Sequence, residues 1–196
     1  MSSTRYPLPL FPLNTLVFPG GCLPLRIFEQ RYLEMIKRAI ADGTPFGVCG
    51  IREGSETGAP AVPYSVGTRV TVTEWDMPET GILHIQTRAQ ERFVIRAIRT
   101  EPDGLLIGDV DDVSADPVTP VPRELELAAE ILRHIIDDHG AGHFPTPHDF
   151  GNAAWVGYRL SEVLPLKLSI KQDLLELNDS VTRLRILTGF IRKQIN

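Results

Sequence analysis

Cysteine is scarce in this chain of 196 residues, which contains only Cys22 and Cys49. Two cysteines cannot build the disulfide framework of a small secreted protein, and these two lack the close spacing of a zinc or redox pair. We therefore expect two reduced thiols and a cytoplasmic protein. A single disulfide between them is the minority alternative, and it requires their Cα atoms to lie within about 7 Å of each other.

The sequence also lacks a long apolar run, a secretory signal and an excess of positive charge. No apolar stretch approaches the ~20 residues that cross a bilayer, and the N-terminus leads straight into a segment punctuated by proline. Lys and Arg number 20 against 25 Asp and Glu, which gives a net charge of −5. Because nucleic-acid binding usually needs a basic surface, we expect no DNA partner. Because no apolar run is long enough, we also expect no membrane segment.

The motifs of common enzyme classes are missing as well. No Gly-x-Ser-x-Gly elbow and no Gly-rich loop ending in Gly-Lys-Ser/Thr is present. Four histidines surround the loop after the first C-terminal helix, but the prolines among them and the absence of a nearby cysteine favour solvation over zinc binding. These are His134, His139, His143 and His148. We predict no catalytic residue, no metal and no cofactor.

What is present in the first 115 residues is a pattern of short strands broken by glycine and proline. One helix interrupts it, because Phe28, Tyr32 and Ile36 lie at helical spacing and Asp42-Gly43 ends the run. Several short strands with such turns predict a small closed or partly closed barrel. Strands are predicted at Leu8–Leu13, Leu16–Phe18, Phe46–Ile51, Arg69–Trp75, Ile82–Arg88, Arg92–Thr100 and Leu105–Val110.

Residues 121–196 have the periodicity of four helical segments. A stretch with three prolines, Ser114–Pro122, separates the two patterns, so we predict subdomains at 1–115 and 121–196. Ser169-Ile170-Lys171-Gln172 has the spacing of a capping box. Asp179 or Ser180 can cap the last helix, in whose apolar stripe Leu184 lies.

Several of these segments together resemble the Lon amino-terminal domain. The resemblance extends over nearly the whole chain and depends on the order of the motifs, since each one alone is weak. The motifs are Leu8-Pro-Leu-Phe-Pro-Leu13, Phe18-Pro-Gly20, Leu23-Pro-Leu-Arg-Ile-Phe-Glu29, Arg31-Tyr32, Phe46-Gly47-Val48, Val66-Gly67-Thr68, the predicted Gln90-Glu91-Arg92-Phe93 turn, Leu164-Pro-Leu166, Lys171-Gln172-x-Leu-Leu175 and Arg183-Leu184.

The resemblance implies an α+β fold, with an N-terminal PUA-like small β-barrel that carries one helix, followed by a C-terminal α-helical bundle. In Lon proteases this domain precedes an ATPase module and a Ser-Lys protease module, and it helps to recognise unfolded or tagged proteins. Neither module is expected within these 196 residues. The resemblance therefore implies a non-catalytic protein that binds substrates.

Two functional hypotheses follow. The first is a polypeptide-binding module that captures unfolded or extended segments, as an adaptor in protein quality control that works with a protease or chaperone. Its predicted contact residues are Phe11, Phe18 and Leu23, because strands limited by proline leave apolar surface and backbone edges free. The alternative is a small-ligand or RNA binder that uses a cleft between the barrel and the helices, an argument from fold analogy. The sequence leaves the client and the oligomeric state open.

Overall fold

A computed structural model describes residues 5–140 and 144–195 of the chain. The chain folds into two compact units, Met1–Ser114 and Ala115–Asn196. The first unit contains six strands and one helix, and the second contains helices. The predicted α+β class is therefore confirmed.

The six strands of the first unit belong to one sheet with the order β2-β5-β4-β3-β1-β6. Only β1 and β3 pair in parallel; the other pairings are antiparallel. In chain order the strands are β1 (Tyr6–Leu13), β2 (Cys22–Ile27), β3 (Phe46–Glu53), β4 (Val62–Glu79), β5 (Ile82–Thr100) and β6 (Leu106–Asp112).

Strand β5 pairs with three strands. One of them is β6, which stands at the far end of the sheet order, so this pairing closes the sheet on itself. Residues 83–88 of β5 pair with β2, residues 82–94 pair with β4 and residues 93–100 pair with β6. The pairings β1–β3, β3–β4, β4–β5, β5–β6 and β6–β1 thus form a closed circuit, with β2 attached outside it. The PUA-like character of this unit stays a prediction. The predicted turn at Gln90–Phe93 is wrong, because these residues lie inside β5 and merge two predicted strands into one.

Helix α1 (Gln30–Asp42) covers the apolar core of this unit. Tyr32, Ile36 and Ala39 are buried on the core side, and the helix ends at Gly43, whose φ of 64° is the left-handed conformation that glycine adopts without strain. Phe28 was predicted to pack with this helical stripe, and that prediction is wrong. Phe28 precedes the N-cap residue Glu29, and its side chain is 57% exposed.

The ring of Phe93 packs where β3 and β4 carry no side chain. A Cβ on Gly47 would lie 2.6 Å from Phe93 Cζ, and a Cβ on Gly67 would lie 2.6 Å from the same atom and 2.5 Å from the carbonyl oxygen of Val48. Phe93 itself is 0% exposed. These two glycines are therefore required by close packing and not by a turn.

Within its described residues, the second unit contains one short 3-10 helix and four α-helices. Asn152 caps α3 by accepting a hydrogen bond from the amide of Ala154. Asp179 caps α5 by accepting from the amides of Val181 and Thr182, as predicted, and hydrogen bonds from Thr182 hold the pKa of its carboxyl below the usual range. The helices are Arg123–Leu125 (3-10), α2 (Glu126–His139), α3 (Ala153–Val163), α4 (Leu168–Glu176) and α5 (Ser180–Ile195).

Helix α4 begins earlier than predicted. Its N-cap is Lys167, which makes no side-chain cap hydrogen bond, so Ser169 lies within the first turn of the helix. The predicted capping box at Ser169–Gln172 is therefore wrong. The side-chain amide of Gln172 instead donates to Glu176 at 2.7 Å, one helical turn further on.

A buried ion pair lies at the centre of the second unit. Arg183 is 0% exposed and its Nη1 donates to Asp116 Oδ2 at 2.7 Å, while the Tyr158 hydroxyl donates to the same oxygen at 2.9 Å. The guanidinium also donates to the carbonyl oxygens of Leu174 and Leu177 and lies over the Tyr158 ring. The sequence analysis placed Asp116 in a linker, whereas its carboxylate is buried in the helical unit.

The glycine packing gives the first prediction. Gly67→Ala should lower the free energy of unfolding by about 1 to 3 kcal/mol, because the new methyl group would overlap a backbone carbonyl that cannot move freely. Gly189→Ala is the matched control: Gly189 lies in α5 with no atom within 4 Å of an added Cβ, so this change should stabilise by about 0.5 to 1 kcal/mol. Urea titration measures both, and an equal effect of the two substitutions would contradict this packing.

The buried ion pair gives the second prediction. Arg183→Ala should cost about 3 to 5 kcal/mol, because it leaves the Asp116 carboxylate buried without its cation. Arg185→Ala, two residues further along the same helix but exposed, should change stability by less than about 0.5 kcal/mol. Chemical denaturation of both variants, followed by circular dichroism, tests the difference, and a mild effect at Arg183 would mean that Asp116 is solvated.

The two cysteines give the third prediction. Cys22 is exposed on β2, whereas Cys49 on β3 is 0% exposed and burial raises the pKa of its thiol far above the usual value. Since the thiolate is the reactive form, a colorimetric disulfide reagent should modify one thiol per native chain rapidly and the second only after denaturation. Cys22→Ser should abolish the rapid phase; two rapid thiols in the native protein would contradict the burial of Cys49.

Candidate functional site

Strand β2 has an outer edge that no other described strand covers, since it stands at one end of the sheet order. Pro24 lacks an N–H, so its pair with Gln86 cannot be one that exchanges two backbone hydrogen bonds. Along an antiparallel ladder, hydrogen-bonded pairs alternate with pairs that are not hydrogen-bonded. The ladder between β2 and β5 has no register shift, so the backbone N–H and C=O groups of Cys22, Pro24 and Arg26 point away from β5. This edge offers carbonyl oxygens at all three positions and N–H groups at two of them.

A cavity of about 230 Å³ adjoins β2, and we call it the β2 cleft. It combines residues of β1, β2 and the start of α1 with Thr15 and with a loop at 56–57. Its lining is apolar and aromatic, with a few charged groups. The lining residues are Phe11, Leu13, Thr15, Pro24, Leu25, Arg26, Ile27, Phe28, Glu29, Tyr32, Glu56 and Thr57.

Stacked aromatic rings form one wall of the β2 cleft. The centroids of Phe11 and Tyr32 are 4.1 Å apart with an interplanar angle of 26°, and Phe46 supports Phe11 from a centroid distance of 6.4 Å. Burial raises the pKa of the Tyr32 hydroxyl, so the ring remains neutral at physiological pH. Phe28, which also lines the cleft, is largely exposed. The cleft thus joins a rigid aromatic wall to an apolar side chain in contact with solvent.

Ion pairs and hydrogen bonds fix the segments around the cleft. Arg31 is 7% exposed, and its guanidinium pairs with Glu29 at 3.0 Å and donates to the carbonyl oxygen of Gly104 at 3.3 Å. On the opposite side, Glu56 accepts a hydrogen bond from the backbone N–H of Asn14 at 2.5 Å. The walls are therefore held by contacts that do not require a ligand.

A second cavity, of about 400 Å³, shares Pro24, Leu25 and Arg26 with the β2 cleft. Here β2, β5 and β4 are in register, so their residues form rows across three strands. The rows are Pro24–Gln86–Glu74, Leu25–Ile85–Trp75 and Arg26–His84–Asp76. We call this surface the three-strand surface.

The three residues predicted to contact polypeptide occupy different environments. Phe11 is 6% exposed but lines the β2 cleft, and Leu23 is half-buried on β2 beside Pro24. Phe18 is 0% exposed, so its side chain is not accessible in this structure. Sequence analysis did not single out Trp75, which is 58% exposed, as a contact residue and placed Phe28 in the core. The sequence did contain a signal that Phe28 lies outside the helix, because it directly precedes Glu29, a residue suited to a helix N-terminus.

Metal-binding chemistry finds no support in the described residues, where no group of three or more His, Cys, Asp or Glu side chains is placed to hold an ion. His134 Nδ1 lies 2.8 Å from the carbonyl oxygen of Glu130, and His148 packs against Phe150 and Trp155. His143 lies outside the described residues. A search of the described helices for one long and apolar enough to span a bilayer gave none.

The fold of this chain is similar to that of solved Lon N-terminal domains. The structure is similar to the crystal structure of a Lon N-terminal domain protein from Xanthomonas campestris, with a TM-score of 0.78, 33% identity, and coverage of 94% of this chain and 98% of that one. The N-terminal domain of Mycobacterium avium complex Lon protease has the same fold, with a TM-score of 0.64 at 19% identity.

Curated relatives are much longer than this chain. The Lon protease of Xanthomonas oryzae pv. oryzae is 24% identical over 200 residues, which cover 96% of this chain and 23% of the relative; Lon protease 1 of Syntrophobacter fumaroxidans is 24% identical over 208 residues, 24% of its length. The family model described as "ATP-dependent protease La (LON) substrate-binding domain" matches residues 7–193. This chain therefore belongs to the family of Lon substrate-binding domains.

Proposed function

We propose that the chain binds extended segments of unfolded polypeptide along the outer edge of β2, with one apolar side chain of the segment seated in the β2 cleft. The observation that carries this proposal is the coincidence of a free strand edge with an aromatic-lined cavity on the same residues, Pro24 to Phe28. The description of the family as a substrate-binding domain supports it.

The backbone edge supplies affinity that does not depend on sequence. An extended segment can add to a sheet edge through main-chain hydrogen bonds, here at Cys22 and Arg26. Pro24 cannot donate, so one hydrogen bond of such a pairing is missing. Pairing at this edge is consequently short and weak, which suits transient capture better than a permanent complex.

The cleft supplies the apolar contribution. At about 230 Å³ it is smaller than the ~300–1,000 Å³ of pockets that enclose drug-sized ligands, which favours a single side chain over a whole small molecule. Phe28 stands in contact with solvent, and covering it with a bound segment removes apolar surface from water. With little else contributing, we expect dissociation constants near the micromolar range, about −8 kcal/mol.

We further infer that the bound segments are passed to a protease or chaperone, so that the chain acts as an adaptor in protein quality control. Support for this comes from the relatives named Lon protease, of which the chain spans about a quarter. We assign neither ATP hydrolysis nor peptide-bond cleavage to the chain, in keeping with its membership of a substrate-binding family.

The test is binding of a labelled, permanently unfolded protein, measured by fluorescence anisotropy. Phe28→Ala should weaken binding about tenfold or more, because full burial of a phenylalanine side chain contributes about 1.5 to 3 kcal/mol and about 1.4 kcal/mol corresponds to tenfold. Its exposed position means that the free energy of unfolding should change by less than about 0.5 kcal/mol.

Ile98→Ala is the matched control, since Ile98 is also exposed on the first unit, at 44%, and lines neither cavity. It should bind like the unaltered protein. If the unaltered protein, Phe28→Ala and Ile98→Ala all bound equally well, the β2 cleft would not be the binding site. No binding by the unaltered protein up to about 100 µM would overturn the proposed function.

A further inference from the structure

A third cavity of the first unit, of about 500 Å³, shares no residue with the two cavities described above. It lies between α1, β1, the residues that lead into β3, and the segment from the end of β5 into β6. Its volume falls within the ~300–1,000 Å³ of pockets that enclose small ligands. We call it the α1 pocket, and its principal lining residues are Met35, Arg38, Phe46, Glu101, Asp103 and Ile107.

The floor of the α1 pocket is apolar. Pro9 and Ile107 are paired across β1 and β6, so their side chains share one face of the sheet. Met35 and Ala39 of α1 and Phe46 of β3 belong to the same buried cluster as Ile107, and all of them line the pocket. A ligand would therefore lie against packed core residues, and this favours a ligand with an apolar body.

The walls of the α1 pocket are held in place without a ligand. Arg31 joins α1 to the turn between β5 and β6, because its guanidinium donates to the carbonyl oxygen of Gly104 at 3.3 Å. Within this turn, the amide of Gly104 donates to the carbonyl oxygen of Glu101 at 2.8 Å, and the amide of Leu105 donates to Asp103 Oδ1 at 2.9 Å. A pre-formed pocket of this kind limits the entropy lost on binding.

The charged groups of the α1 pocket are of both signs. Glu101 is paired with Arg99 at 3.1 Å, which leaves Arg38 on α1 and Asp103 in the turn. Both are exposed, and neither forms an ion pair with any residue that the structure describes; Asp103 accepts only the amide of Leu105. A ligand in the pocket thus meets one unpaired cation and one unpaired carboxylate among the described residues.

These two charges lie far enough apart to be contacted by opposite ends of one ligand. Arg31 contacts the residue that follows Asp103, and it precedes Arg38 by seven positions of the same helix, about 10 Å along the axis. An extended peptide spans at most ~3.3–3.6 Å per residue, so two or three residues span about 7 to 11 Å. The two termini of such a peptide can approach both charges while its side chains cover the floor.

We propose that the α1 pocket binds short free peptides, of two or three apolar residues, in their zwitterionic form. The terminal carboxylate pairs with the guanidinium of Arg38, whose planar fork matches a carboxylate, and the terminal ammonium pairs with Asp103. The inference does not depend on polypeptide binding at β2, because the internal segments of a long chain carry neither terminal charge.

Methionine methyl groups locate the binding. In the full chain with ¹³C-labelled methionine methyl groups, leucyl-alanyl-leucine with free termini should shift the signal of Met35, which lines the pocket. The signal of Met77 should stay in place, since Met77 is exposed on β4 and lines none of the three cavities. Met35→Leu identifies the signal. No shift at Met35 with about 10 mM peptide would overturn the proposal.

Four forms of this peptide test the recognition of charge: free, N-acetylated, C-amidated, and blocked at both ends. Each lost charge should weaken binding about twofold to fivefold, the range expected of exposed ion pairs, and added salt should reduce the difference. Equal affinities of the free and the doubly blocked peptide would overturn the zwitterionic class. A singly blocked peptide that bound as tightly as the free one would overturn it too.

Two variants assign the charges to their partners. Arg38→Gln should remove the effect of C-amidation. Asp103→Asn should remove the effect of N-acetylation, while the asparagine oxygen still accepts the Leu105 amide. Arg185→Gln and Asp173→Asn make the same changes at exposed helical positions of the second unit and should retain both effects.

Each variant is compared with the unaltered protein through its methionine spectrum without peptide, which shows whether the pocket has kept its structure. Effects of amidation and acetylation that persist in Arg38→Gln and Asp103→Asn would overturn the proposal, because the peptide termini would then be bound elsewhere.

Discussion

The close approach of Phe93 to two glycines is the constraint on which the first unit depends. Its ring occupies the space that side chains at Gly47 and Gly67 would fill, so it lies directly against the backbones of β3 and β4. Phe93 lies at the point of β5 where pairing with β4 continues and pairing with β6 begins. Closing the circuit there uses both edges of the middle of β5. Strand β2 then pairs with the first half of β5, and no other described strand pairs with its outer edge.

Both units bury apolar side chains, and the second also contains a buried ion pair. The first has an apolar core in which α1 covers one face of the sheet, with Tyr32, Ile36 and Phe46 among its members. The second contains, besides its buried leucines, a buried cation, Arg183, whose hydrogen bonds reach the segment before α2, the end of α4 and the loop that follows it. A fully buried ion pair is costly to desolvate, but once formed it tolerates few alternative arrangements. Apolar cores accept substitutions of similar volume more readily.

The candidate site uses the core as its wall. Phe11 and Tyr32 are buried by stacking on each other, yet both line the β2 cleft, so the surface that a ligand would meet is already rigid. Of the three aromatic residues that line the cleft, Phe28 is the one that is largely exposed and would exchange solvent for a ligand. Pre-organisation of this kind limits the entropy lost on binding. Pro24 restricts backbone pairing at the β2 edge, which protects the chain against aggregation through this edge. Discrimination between bound segments is then left to side-chain contacts.

Sequence by itself determined the α+β class, the approximate bounds of the helices and of β1, β3 and β6, and the family, because periodicity, prolines and motif order are local properties. It also found the Asp179 cap. It did not predict β2, and the strand that it predicted at Leu16–Phe18 is wrong. Only the tertiary structure decided which apolar residues face solvent: Phe18 is buried whereas Phe28 and Trp75 are exposed, although all three are large and apolar. Periodicity defines a face of an element, but not what covers that face. For the same reason the sequence could not show that the Asp116 carboxylate is buried, because this burial depends on an arginine 67 positions away. Nor could it show that no other described strand covers the outer edge of β2, because this depends on how the other strands pair.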